Sequence, residues 1–423
     1  LKQDPKLFLH SLINYEKITG YDYDLHAYKD FLERLGNPHK KLKNIILIAG
    51  TKGKGSVAAV LNACLIENGY NVGLYTSPNL ARVNERIRVN NTPVSERDMN
   101  KLLNEIRPRL TGKHRTRTFF EVLTTVAYLH FLSRTTDFIL LEVGLGGRLD
   151  ATNAAEPLLS VITRIGYDHT NLLGTRLSQI THEKAAIIRT NGTLITIHQR
   201  PTVEKILRRL AKKKNCNMIF ADELHEIKVK DRSIAGSRIH ISGTIGTFNT
   251  FLPLVGAHQI ENLSLALAVL NELQDFGLQL GKLKLRQGIK KTELHGRFEL
   301  VSEKPPVIFD CAHNEDSFRA LERNLQWLKI KDFYLIFGTN QDKDIRYCLK
   351  QIFPKAKRVY LVKTDNPRAV SQQELLRRAR RYQKNITFAR SVKHALSMIK
   401  KHDRATAIIV AGSFYLWQRD WKA

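Results

Sequence analysis

Short continuous apolar runs alternate along this chain with stretches whose apolar residues recur every three to four positions, the pattern of strands alternating with helices. Between residues 5 and 36, Phe8, Leu9, Leu12, Ile13 and Tyr15, then Phe31, Leu32 and Leu35, recur at helical spacing and predict amphipathic helices. The run Asn44 to Ala49 predicts a buried strand; a glycine-rich turn follows it, and Val57 to Glu67 predicts a helix. Asn71 to Tyr75 predicts a second strand, closed by Thr76-Ser77-Pro78, where proline cannot continue a ladder. Helices are predicted over 96–110 and 119–133, and strands over Phe138 to Val143 and Leu158 to Thr163. Such alternation predicts an α/β fold with a mostly parallel sheet and helices on both faces.

Strands and a helix are expected from Thr193, then three turn-bounded pieces, Glu226 to Lys230, Ser237 to Ser242 and Thr247 to Leu252, that read as an antiparallel extension. An apolar helix is predicted over 258–275. Beyond Leu294-His295-Gly296-Arg297 a new alternation begins. Its strands are Val307 to Asp310, Phe333 to Phe337, Val359 to Val362 and Ala407 to Val410, with helices over 316–328, 344–351, 372–383 and 391–400. Two domains are therefore expected: residues 1–295, P-loop-type, and residues 296–423, a smaller Rossmann-like α/β domain.

A length of 423 residues agrees with two cores, and 43% hydrophobic with 26% charged residues are the proportions of a globular protein. The net charge of +28 raises nucleic-acid binding as a class. Yet the basic clusters His39 to Lys43, Arg208 to Lys214 and Arg377 to Arg381 carry no aromatic stacking platform, so the expectation is no nucleic-acid partner but a surface attracting small polyanions such as ATP. The uncharged run Ile239 to Ile260 holds too many polar residues to span a membrane, and no signal-peptide core is evident in residues 1–20. Four scattered cysteines (Cys64, Cys216, Cys311, Cys348) show no Cys-x-x-Cys pair, so a cytoplasmic location is expected.

In parallel sheets ligands bind at the carboxyl ends of strands, which selects the residues to collect. The first strand ends in Gly50-Thr51-Lys52-Gly53-Lys54-Gly55-Ser56. Glycines let backbone N–H groups approach phosphate, the next helix points its positive end there, Lys54 offers charge, and Ser56 offers a hydroxyl to magnesium. The spacing departs from the strict P-loop, so a plain strand-to-helix connection competes with nucleotide binding. The other strand ends bring Ser77, then Glu142 in an otherwise apolar run, then Asp168-His169. A carboxylate, an imidazole and hydroxyls at strand ends suit a magnesium–ATP site, against the alternatives of a structural ion pair for Glu142 and a hydrogen-bonded histidine for His169. Lys184 would ordinarily be a solvated lysine, Glu121 an ordinary helix-surface charge, and Asn262 a helix cap.

Several segments carry a more specific signal, in order: Gly-Thr-Lys-Gly-Lys-Gly-Ser (50–56), Thr-Ser-Pro-Asn-Leu (76–80), Glu-Val-Gly-Leu-Gly-Gly-Arg-Leu-Asp-Ala-Thr-Asn (142–153), Ile-Gly-Tyr-Asp-His (165–169), Glu183-Lys184-Ala185, Gly256 to Asn262, Gly296-Arg297, Asp310 to Asn314, Asp342-Lys343-Asp344 and Gly412-Ser413. Over nearly the whole chain this resembles folylpolyglutamate synthase/dihydrofolate synthase of the Mur ligase superfamily, whose nucleotide loop is shortened in this manner. Lys52 stands where asparagine is common in that family, Asn79 where histidine is, Ala186 and Cys311 where glycine is, and Glu315 where proline is.

The resemblance implies that ATP is the cosubstrate, bound by residues 50 to 56 with Asn262, Arg297, Asp310 and His313, in a site closed by the second domain. It implies two magnesium ions held by Ser56, Ser77, Glu142, His169 and an N-carboxylated Lys184, with Glu121 near the folate, and Lys54, His169, Lys184 and Arg297 in catalysis. The implied reaction joins L-glutamate to dihydropteroate or to reduced folates through an acyl phosphate, by a monomer. The same superfamily offers a UDP-sugar-peptide amino-acid ligase as an alternative; a basic nucleic-acid-binding ATPase is the alternative from another class.

Overall fold

The computed structural model of the chain describes residues 5–12, 24–111, 117–341 and 343–417; Ile13, Tyr15 and Asp342, named above, lie outside them. Strands β1 (Ile45–Ala49), β2 (Val72–Tyr75), β3 (Ile87–Val89), β4 (Thr92–Pro93), β5 (Phe138–Glu142), β6 (Leu159–Ile162), β7 (Thr193–Thr196) and β8 (Asn217–Phe220) form one sheet, ordered β4-β3-β2-β5-β1-β6-β7-β8. From β2 to β8 neighbours run parallel, and β3 and β4 add an antiparallel edge. Every residue of β1 is buried, which requires cover on both faces. Ile45, Leu47 and Ala49 pack on one face into a core shared with Phe31, Tyr75, Val126 and Phe131.

The helix Lys54–Glu67 follows β1 and is buried continuously from Ser56 to Leu65. Its closest neighbour is the helix Lys282–Lys290, where Gly288 lets the two backbones meet: a Cβ on Gly288 would lie 2.6 Å from Cys64 Cα. The helix Phe119–Ser133 has the predicted limits because Thr118 and Glu121 close a capping box at its start.

Two compact units result. One comprises Leu1–Lys228, His240–Thr250 and His258–Thr292; the other comprises Val229–Ile239, Phe251–Ala257 and Glu293–Ala423. A three-stranded sheet of β9 (His225–Ser233), β10 (Gly236–Gly243) and β11 (Phe248–Leu252), ordered β11-β10-β9, therefore has residues in both units. The two-residue link between β9 and β10 permits only antiparallel pairing. In the second unit β12 (Glu299–Glu303), β13 (Pro306–Asp310), β14 (Phe333–Phe337), β15 (Arg358–Leu361), β16 (Ile386–Phe388) and β17 (Ala407–Ala411) are ordered β12-β13-β17-β14-β15-β16. All neighbours there are parallel except the β12–β13 pair, around a core that includes Phe318, Phe337, Phe353 and Ile409. The predicted strands of this unit reappear within a residue or so; the edge strands β12 and β16 are additions.

Because Gly288 faces backbone, Gly288→Ala is expected to push the helix Lys54–Glu67 from its seat and to cost about 1–3 kcal/mol. Thermal unfolding of the variant should show a depressed midpoint, and an unchanged midpoint would refute the close packing.

Candidate active site

The order β2-β5-β1-β6 makes the four strands singled out from the sequence immediate neighbours, so their carboxyl ends lie side by side. Gly50 leaves β1 at φ 145°, and a Cβ there would sit 1.9 Å from Thr163 Oγ1 at the end of β6. That hydroxyl donates to Lys52 O at 2.8 Å. Thr51 turns inward: its N–H donates to Arg164 O, and its hydroxyl both donates to Gly166 O (3.1 Å) and accepts from Gly166 N (3.0 Å). Thr51 thus braces the loop from behind. Gly53, the N-cap of the following helix, has φ 97° and meets Asn262, whose Oδ1 would be 2.2 Å from a Cβ on Gly53. Asn262 is held in turn by donating to Gln259 Oε1.

Three lysines converge here. Lys54 Nζ and Lys184 Nζ both donate to Gly50 O, at 3.2 and 3.0 Å. Lys184 is buried, and desolvation, then the neighbouring Lys54, push its ammonium down to about 7. It reaches this position because Gly147 allows residues 144–153 to lie against the helix Leu177–Ala185; a Cβ on Gly147 would be 2.7 Å from Glu183 O. Asp150 ties that segment internally, accepting from Leu145 N, Thr152 N and the Thr152 hydroxyl. Lys52 points not into open solvent but to Asp168, at 3.2 Å from Oδ2.

Glu142, buried at the end of β5, accepts from Ser77 N at 3.2 Å, so these two predicted residues are together. His169 has a left-handed backbone (φ 48°); burial lowers its pKa, Asp168 opposes this, and the lysines reinforce it. Among the described residues no group of three or more His, Cys, Asp or Glu is placed to hold a metal. Of the residues expected to hold magnesium, a hydrogen bond joins Ser77 and Glu142, whose side chains carry the oxygen ligands that this ion prefers.

Glu121 is not a surface charge. It is buried, accepts from Thr118 N at 2.7 Å and pairs with Arg117 at 3.1 Å; desolvation raises its pKa, with Arg117 opposing. A polar residue three positions after a threonine was the sequence signal for that cap. Asp168, gathered with His169 from the sequence but given no role there, is the partner of Lys52.

In the second unit Asp310 ends β13 and accepts from two backbone groups, Phe298 N at 2.9 Å and Ala312 N at 2.8 Å. It thereby fixes the segment carrying Arg297. Burial pushes its carboxyl up to about 6, with Arg297 acting against the rise. His313 is oriented by a contact of Nδ1 with Cys311 O at 2.8 Å.

Known proteins share this fold and its order of domains. The Mur ligase middle domain matches residues 48–270, and the Mur ligase, glutamate ligase domain matches residues 296–414. The dihydrofolate synthase/folylpolyglutamate synthase of Bacillus subtilis is 32% identical over 381 residues, covering 88% of this chain and 87% of that protein. The crystal structure of folylpolyglutamate synthase from Thermotoga maritima is 34% identical with a TM-score of 0.83, covering 94% of this chain and 92% of that one. The Escherichia coli FolC structure in complex with DHPP and ADP is 31% identical with a TM-score of 0.81, covering 98% and 96%.

Gly53→Ala meets both the left-handed backbone and Asn262, so nucleotide affinity is expected to fall more than about tenfold, and adding Asn262→Ala should recover only part of it. Titration with ADP checks this; full recovery would show that the backbone angle is irrelevant. For Asp310 the sign follows from its raised pKa: between 3.8 and about 6 the folded unit holds a proton that the unfolded chain has released. Stability should therefore fall as pH rises through that window, by at most about 1.4 kcal/mol per pH unit. Urea unfolding of Asp310→Asn should show a flatter pH dependence than the parent over the same window.

Proposed function

The chain belongs to the Mur ligase family, in its dihydrofolate synthase/folylpolyglutamate synthase branch, and is an ATP-dependent glutamate ligase of folate biosynthesis; from that premise we propose how its residues divide the work. What supports this division is that β2, β5, β1 and β6 are adjacent and parallel, with Ser77 bonded to Glu142 at two of their ends and Lys184 reaching from its helix to Gly50 O at a third.

The substrate carboxylate cannot accept an amine directly, because oxide would have to leave. Its oxygen therefore attacks the γ-phosphorus of ATP and ADP departs. The glutamate amine then attacks the acyl carbon, phosphate carries away the C–O bonding pair, and the ammonium proton is lost to water. Gly53, Lys54 and Gly55 hold the triphosphate, with Asn262 keeping Gly53 in place. The complex of a relative with ADP supports a nucleotide in this role. Arg297 spreads the charge of the phosphoryl group in flight, on a segment that Asp310 fixes through Phe298 N, and His313, oriented at Cys311 O, offers a further polar group to the nucleotide. The acceptors are dihydropteroate or reduced folates, with Glu121 ordering the start of the helix next to them.

Two magnesium ions, held by Ser56, Ser77, Glu142, His169 and Lys184, would neutralise triphosphate charge. Lys184 suits N-carboxylation: burial leaves part of its amine neutral near pH 7, and a carbamate turns its repulsion from Lys54 into attraction. The protein works as a cytoplasmic monomer. No helix among the described residues is long and apolar enough to cross a membrane.

ADP formation with Mg-ATP and glutamate should rise with dihydropteroate, with tetrahydrofolate, or with both; stimulation by neither would sink the assignment. Lys184→Ala should lose more than about a hundredfold in turnover yet still bind ADP, and the carbamate carbon resonance seen after ¹³C-bicarbonate labelling should vanish.

A further inference from the structure

The contact of Lys52 with Asp168 has a consequence for His169. Asp168 is shared: Oδ2 takes Lys52 Nζ at 3.2 Å, and Oδ1 accepts from His169 N at 3.1 Å. The root of the Lys52 side chain is fixed as well, since its own carbonyl accepts from Thr163 Oγ1 at 2.8 Å. One carboxylate thus links the nucleotide loop to the backbone N–H of a residue whose φ of 48° is left-handed. Residues with a Cβ hold that conformation only where their surroundings impose it.

From this geometry we propose that Lys52 is a positioning residue that acts through Asp168: the pair holds the loop after β6 so that the His169 imidazole is presented beside the nucleotide loop. The proposal rests on the reading of Gly50–Ser56 as a nucleotide loop and goes beyond it, since Lys52 is assigned to His169 and not only to phosphate. The two backbone braces at Thr51 and Thr163 fix residues 163–166, but neither extends to residue 169. The Lys52–Asp168 pair does.

Exposure argues for positioning over stability. Lys52 is about half exposed and Asp168 is mostly covered (52% and 23% of the side chain), and such pairs stabilise a fold little.

Hydrogen–deuterium exchange of the whole, nucleotide-free protein over residues 164–172 tests this without metal or turnover. Lys52→Met and Asp168→Asn should each speed exchange there, by up to about fivefold for a half-exposed pair, while Lys52→Arg stays at the parent rate. The double variant Lys52→Met with Asp168→Asn should exchange no faster than the faster single. In turnover, both single variants should lower kcat more than they raise KM for ATP. Unchanged exchange in Lys52→Met, or accelerations that multiply in the double variant, would overturn the proposal and leave Lys52 as a phosphate contact. ADP titration of the parent protein separates the two claims: failure to bind would remove the nucleotide-loop reading, while the exchange data would still decide whether Lys52 holds the residue 169 loop.

Discussion

The approach of the β1 exit to the β6 exit is the constraint on which the rest of this site depends. With Thr163 Oγ1 only 1.9 Å from where a side chain on Gly50 would begin, residue 50 must be glycine and the chain must turn at once. The turn delivers Gly50 O to two lysines, directs Thr51 inward and starts the buried helix at Lys54. Parallel strands place all such exits on one edge, so one close contact sets the geometry of several loops.

That edge gathers three lysines. Lys52, Lys54 and Lys184 crowd a loop whose helix adds its own positive end, and Asp168 offsets part of this. A buried ammonium among like charges is costly, which is why Lys184 is pushed down to about 7. The site is therefore built to be completed by anions. Triphosphate is one, and a carbamate on Lys184 would be another.

The motif running from Glu142 to Asn153 is largely scaffolding. Gly144 makes room for Phe120, Gly147 for the backbone at Glu183, and Asp150 satisfies N–H groups of its own turn. Arg189 locks Asn153 from another element, donating to its Oδ1 at 2.8 Å. Glu142 is the member that faces the strand-end site. The second unit repeats the economy: Asp310 serves backbone, and by doing so places Arg297.

Local pattern was sufficient for much of this. Apolar runs located the central strands because those strands are buried on both faces, and the cap of Thr118 and Glu121 set the limits of one helix because capping is a contact between near neighbours in sequence. The strand-end rule gathered Ser56, Ser77, Glu142 and His169 before any coordinates, since it depends only on strands being parallel. Edge strands such as β3, β12 and β16 escaped, being short and half exposed, with a weak apolar signal. Burial of Glu121, the inward turn of Thr51, the assignment of residues 229–239 and 251–257 to the second unit and the partner of Lys52 were decided by tertiary structure alone. Each depends on a group distant in sequence, such as Asp168 lying 116 residues after Lys52, and local periodicity carries no record of such pairings.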